Sequence, residues 1–279
     1  KEVVNMEVMF SHCEKLKSLN LTNFDTSKVK SMKFLFNQCF SLKTLDLSNF
    51  NFNNVINIDG MFHSCGQLEN IDFDIINNTP KLKHMNNLFF GCKNLVKIDL
   101  SFFNTKKVED FGNMFFGCEK LQNLDLSNFN TKNVTNMGSM FQNCFELRNL
   151  NISNFETPKV NSMKYMFHNC YSLMKLDLKK FNTENVVNFC CMFFNCYSLA
   201  YLDISNLNIN KALIMEYMFA NCYSLITLDI HHFNLNKKMD YFGLFNNCHS
   251  LIFVNLPDLD KDININNIFN NCNSLIFKG

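Results

Sequence analysis

MFQNCFELRNLNISNFETPKVNSM, from Met140 to Met163, is one copy of a pattern that runs the length of the chain. Its cysteine returns at a spacing of 26 almost throughout, as Cys13, Cys39, Cys65, Cys92, Cys118, Cys144, Cys170, Cys196, Cys222, Cys248 and Cys272. A phenylalanine stands three residues before each of these and a leucine three residues after, from Phe10 and Leu16 to Phe269 and Leu275. One spacing of 27, near Asn77 to Pro80, and a final spacing of 24, between Leu259 and Ile265, fall between the columns, where loops absorb them. A fixed period in the twenties means one small unit stacked on itself.

Within a unit, L-x-x-L-D-L-S alternates apolar and polar residues, as in Leu45, Asp46, Leu47 and Ser48, which is the period of a short strand with one buried face. Met163, Met166, Phe167 and Cys170 are spaced by threes and ones, which suits a single helical turn. The expected fold is an α/β repeat solenoid of leucine-rich-repeat type, with eleven coils of about 26 residues. A parallel sheet lines one face and short helical or 3-10 turns the other. Strands about 4.8 Å apart make that sheet roughly 50 Å long. The whole of 1–279 reads as one solenoid. It begins inside one unit and stops inside another, as a fragment of a longer array lacking its polar caps does.

With MFxxC, LDLSxF and NTxxVxxM around the L-x-x-L-x-L core, the chain resembles the BspA-like leucine-rich-repeat surface proteins of bacteria, mycoplasmas and some protists, over all 279 residues. The resemblance implies a cell-surface recognition module. One departure stands out. The asparagine or cysteine that usually follows the strand is replaced by the apolar column Phe24, Phe50, Ile76, Phe103, Phe129, Phe155, Phe181, Leu207, Phe233 and Leu259. A ring stack is expected in place of the asparagine ladder, with the neighbouring Asn, Ser and Thr columns satisfying the backbone groups.

Hydrophobic residues make up 47% of the chain, yet no apolar run approaches the ~18 residues that cross a membrane. A net charge of +1 argues against nucleic acid as the partner, because phosphate recognition starts from a basic groove. No Gly-rich phosphate loop, H-E-x-x-H or G-x-S-x-G occurs, and no C-x-x-C pair suggests a metal or other cofactor. Asp229 and His231 share the exposed strand face, a pairing expected by chance in a chain with 7 histidines.

Three columns are candidates for a site. Asp99, Asp125, Asp177, Asp203 and Asp229, together with Asp46 and Asp72, line the exposed strand face, where like charges about 5 Å apart call for solvent, cations or hydrogen bonds. Phe145, Tyr171, Tyr197 and Tyr223, followed by His249, occupy the position after the cysteine, where the earlier units carry Phe40 but otherwise Glu14, Gly66, Lys93 and Glu119. Fold therefore does not demand rings there, and tyrosines in a row are what protein-binding patches use. The periodic cysteines sit between apolar columns and read as inward-pointing fillers, whereas Cys190 and Cys191 lie outside those columns and are the expected exposed thiols. Lysines after the Phe column, among them Lys106, Lys107, Lys159, Lys237 and Lys238, read as a solvated edge.

The function expected from these residues is non-enzymatic protein binding, through adhesion or recognition of a host or neighbouring cell at a surface or in secreted form. The alternative is a cytoplasmic or structural scaffold, which thirteen cysteines without a pairing pattern would suit.

Overall fold

Alternating apolar residues do form strands. In a computed structural model, which describes residues 3–73, 78–236, 238–259 and 265–276, the L-x-x-L-D-L stretches give β1 (Thr44–Leu47), β2 (Asn70–Phe73), β3 (Asn123–Asp125), β4 (Asn149–Asn151), β5 (Thr227–Asp229) and β6 (Phe253–Asn255). Pairing is parallel and in register, with Leu45 opposite Ile71, Leu124 opposite Leu150 and Leu228 opposite Val254. Leu45, Leu124 and Leu228 are buried while Asp46, Asp125 and Asp229 are exposed, as the alternation requires.

The single long sheet does not form. Among the described residues these strands pair only two by two, β1 with β2, β3 with β4 and β5 with β6. The hydrogen bond entering each pair is short, 2.8 Å from Glu69 N–H to Lys43 C=O and 2.9 Å from Arg148 N–H to Gln122 C=O. At the breaks the equivalent bonds stretch, to 3.5 Å from Gln122 to Val96 and 3.4 Å from Ile226 to Ala200, near the limit for an N–H···O bond.

The opposite face is not helical either. Among the described residues one 3-10 turn, Ile265–Asn267, is formed. Elsewhere the M-x-x-M-F-x-x-C segment is a run of tight turns with two left-handed residues per coil, for example Phe34 (φ 53°) and Gln38 (φ 59°), or Tyr165 (φ 58°) and Asn169 (φ 61°). From Met32 to Cys39 the amides alternate in direction. Met32, Phe34, Phe36 and Gln38 donate to the carbonyls of Asn57, Asp59, Met61 and His63 on the next coil, at 2.7–2.9 Å. Leu35, Asn37 and Cys39 donate three residues back, to Met32, Phe34 and Phe36, at 3.1–3.2 Å. Half of the backbone donors thus tie coil to coil, which no helix can do, since its N–H groups bond within it. Where Gly60 takes the left-handed position (φ 56°), a Cβ would lie 2.1 Å from the Phe34 ring of the coil before, so the ring occupies the space the glycine leaves.

The phenylalanines before the cysteines form the central ladder. From Phe10 through Phe141 to Phe269 each ring stacks on the next at 5.2–5.9 Å. The inner members are fully buried, as are the inner leucines after the cysteines, from Leu42 to Leu251. In these two columns and in the apolar column after the strand, burial among the described residues is incomplete only toward the ends, at Phe10, Leu16, Phe24, Leu259 and Leu275, whereas the strand residues Ile98, Leu150 and Leu176 are half-buried in mid-chain. The apolar column after the strand is less regular than expected. Phe155 stacks on Phe181, but Phe129 tilts against Phe111 and Phe103 against Phe102, and Ile76 lies outside the described residues.

Two polar ladders satisfy the backbone around this core. Thr26, Thr79, Thr105, Thr131, Thr157 and Thr183 are buried, and each Oγ1 accepts a backbone N–H from the next coil, as at Asn51, Asn130 and Asn182. Beside the apolar column, Asn128 Nδ2 reaches the carbonyls of Leu100, Ser101 and Phe103, and Asn206 Nδ2 those of Leu178 and Phe181. These are the Thr and Asn columns expected to take over from the displaced asparagine ladder.

Candidate functional site

An aspartate two residues before a backbone N–H can cap its own turn. The acidic column does this within each coil, and at Asp229 a bond from Asn255 of the next coil is added. Asp99 and Asp125 accept the N–H of Ser101 and Ser127 at 2.9 Å, Asp177 that of Lys179 at 3.0 Å, and Asp203 that of Ser205 at 3.1 Å. Hydrogen bonds from the Ser205 hydroxyl and backbone hold Asp203 below the usual carboxylate range, and backbone and hydroxyl bonds from Ser127 do the same for Asp125. Asp229 is lowered to about 2, first by the His231 side chain, whose Nδ1 is 2.6 Å from its Oδ1, and then by the His231 N–H. All five carboxylates are exposed. Asp125 also lines a 410 Å³ groove with Asn123, Arg148, Asn149, Asn151 and Lys175.

The aromatic column closes into one continuous stack. Phe145, Tyr171, Tyr197, Tyr223 and His249 lie ring on ring at 4.8, 4.6, 4.7 and 5.2 Å, with planes within 16° of parallel. Stacking leaves Phe145, Tyr171 and Tyr197 half-buried, and Tyr223 and His249 exposed. Burial, and then the neighbouring Tyr171 and Tyr223, raise the Tyr197 hydroxyl above the ordinary tyrosine range. Because each inner ring face is covered by the next ring, the stripe offers ring edges and hydroxyls to a partner. It is a poor platform for a ligand that must lie flat on an aromatic face.

Beside it runs a feature the sequence reading missed. Asn143, Asn169, Asn195, Asn221, Asn247 and Asn271 form an amide ladder in which each Nδ2 donates to the Oδ1 of the coil before, at 2.6–2.8 Å. Every member is left-handed, with φ between 59° and 62°. Asparagine tolerates that backbone region better than other non-glycine residues. The signal was present, an asparagine immediately before the cysteine in six successive units. Rings and amides together make a rigid two-column strip over the second half of the chain.

The thiol reading requires a correction. Cys190 is half-buried and Cys191, with 8% of its surface accessible, is buried; their sulfurs are 3.6 Å apart. Cys191 takes the left-handed turn position (φ 53°), which tucks its side chain inward, and burial pushes its thiol well up. Cys13 is the exposed thiol. The inner periodic cysteines are more than fillers, since each Sγ donates to the carbonyl of the ladder phenylalanine one coil back, as Cys144 to Phe115 and Cys170 to Phe141 at 3.2 Å. Mild alkylation of the native chain is expected to modify Cys13 first and Cys190 and Cys272 next, leaving Cys191 and Cys144 untouched until unfolding. Peptide mapping of the labelled sites gives the order, and early labelling of Cys144 would contradict it.

The lysine edge ties coils together: Lys107 Nζ donates to Pro80 C=O, Lys159 to Asn133 and Lys211 to Asn185, at 2.6–3.0 Å. Lys237 lies outside the described residues. Among the described residues no helix is long and apolar enough to cross a membrane.

Several solved leucine-rich-repeat structures resemble the chain at low identity. One from Bacteroides ovatus is 19% identical, with 92% of this chain and 77% of that one covered and a TM-score of 0.35. A leucine rich cell surface protein from Faecalibacterium prausnitzii is 15% identical, with 89% and 82% covered and a TM-score of 0.38. A leucine-rich-repeat protein from Eubacterium ventriosum is 16% identical, with 83% and 71% covered and a TM-score of 0.33. No curated protein matches the chain. At family level the match is extensive: residues 1–79, 72–176 and 145–258 each fit the family described as "Mycoplasma protein of unknown function, DUF285", and the chain belongs to that family.

Proposed function

We propose that this chain is a non-enzymatic protein-binding module, acting as one solenoid over 1–279 and recognising a host or neighbouring-cell protein at a cell surface or in secreted form. The observation that carries the reading is the strip of stacked rings beside the asparagine ladder. The fold does not require rings in that column, because two units earlier in the chain fill it with Lys93 and Glu119, paired at 3.0 Å. Where rings do occur they are held rigid by their neighbours, so a partner meets a surface whose ordering entropy is already lost. Edges, hydroxyls and amides suit the polar backbone and side chains of a protein, and the exposed carboxylates Asp99, Asp125, Asp177, Asp203 and Asp229 supply a second, anionic column for a basic partner. A cytoplasmic scaffold role is the alternative, favoured by thirteen free cysteines in a chain with no disulfide pattern.

The test compares adhesion of beads coated with the chain to animal cells before and after changing Tyr171, Tyr197 and Tyr223 together to serine. Retention should weaken by more than about 1 kcal/mol, a factor above roughly 5, with circular dichroism unchanged. Equal retention by a folded triple variant removes the stripe from the site, and an enzymatic turnover mapping to this segment overturns the functional class.

A further inference from the structure

The unit containing β5 reads LDIHHFN where the others read LDLSNFN or a close variant. Both substitutions carry imidazoles, and the fold brings them to the turn that Asp229 caps. Asp229, His231 and His232 each place a ligand atom so that all three lie within 4.8 Å of one another. We propose that these residues form a surface site for a divalent transition-metal ion of the imidazole-preferring class, such as Zn²⁺.

Two imidazoles and one carboxylate are a donor set that suits zinc over calcium or magnesium. A tetrahedral ion with bonds of about 2.0–2.1 Å holds its ligand atoms roughly 3.3 Å apart, so small rotations of exposed side chains close the cluster. His231 Nδ1 and Asp229 Oδ1, 2.6 Å apart, share a hydrogen that an incoming ion displaces, and the surroundings orient His232 and Asp229. His232 Nε2 lies 3.2 Å from the Ile204 carbonyl, which accepts its hydrogen and leaves Nδ1 as the bare nitrogen. Asn255 Nδ2 donates to Asp229 Oδ1 at 3.0 Å from the next coil. Such outer hydrogen bonds fix tautomer and carboxylate orientation at metal centres. With three protein ligands, the fourth position faces solvent and is open to water or to a side chain of a bound protein.

Calorimetric titration of the whole chain with Zn²⁺, kept reduced by a phosphine, tests the site. One equivalent should bind, and its affinity should fall by more than about tenfold in His231→Ala and in His232→Ala. Binding should also weaken as the solution is made more acidic, because protons compete with the ion for its ligand atoms. His231 is exposed, so His231→Ala keeps the test valid if loss of the His232 bond to Ile204 disturbs folding. Co²⁺ substitution distinguishes this site from the thiols, since imidazole and carboxylate ligation lacks the intense near-ultraviolet thiolate band. No binding, a thiolate band, or one-equivalent binding retained in the folded His231→Ala variant would each overturn the proposal.

Discussion

Phe141→Ala is expected to destabilise the chain by about 3–5 kcal/mol, read as a lowered urea midpoint. Phe141 is fully buried and stacks on Phe115 at 5.7 Å and on Phe167 at 5.6 Å, so truncation opens a cavity with rings on both sides. Neither neighbour can move into the space without leaving its own backbone, which is held by hydrogen bonds to the adjoining coils, Phe115 N–H to Met140 C=O and Phe167 N–H to Met192 C=O, both at 2.9 Å. The same change at Phe10, only half-buried and stacked on Phe36 alone within its column, should lose less than half as much. Solenoid stability is close to a sum of unit and nearest-neighbour terms, and an end unit has fewer of the latter. Equal losses at the two positions would contradict this account.

Thr157→Val is expected to lose about 2 kcal/mol although it makes the interior more apolar. Thr157 is fully buried, and its Oγ1 accepts the Asn182 N–H at 2.9 Å and donates to the Asn182 carbonyl at 2.7 Å. Valine keeps the shape and removes both bonds, leaving a backbone donor and acceptor unsatisfied at the joint between two coils. Thr157→Ser keeps the hydroxyl and removes a methyl, worth about 1 kcal/mol. The order valine below serine is the check, measured by denaturant unfolding. A valine variant as stable as wild type would show that water takes over the two backbone groups.

Much of the candidate site was legible along the chain. Asp125 and Asp229 fall on the exposed side of their strands because side chains alternate, and Tyr171, Tyr197 and Tyr223 stack because a constant period places them one above another. The asparagine ladder was legible in the same way and was overlooked. The acidic column was placed correctly but its bonds were not: spacing locates a carboxylate, whereas its partner two residues along depends on the turn geometry.

Period, strand register and the identity of the inward columns are thus properties of the sequence by itself, because a repeat places equivalent residues in equivalent environments whatever path the backbone takes between them. Tertiary structure alone decided that path. Apolar residues spaced by threes and ones fit a helical turn and a chain of tight turns equally well; the two differ in where alternate N–H groups point, and the carbonyls of the next coil, at Asn57, Asp59, Met61 and His63, decide for turns. That choice places left-handed residues at fixed points in each coil. It also buries Cys191. On the strand face, tertiary structure alone shows the sheet broken into pairs, with long hydrogen bonds between coils at Gln122 and Ile226.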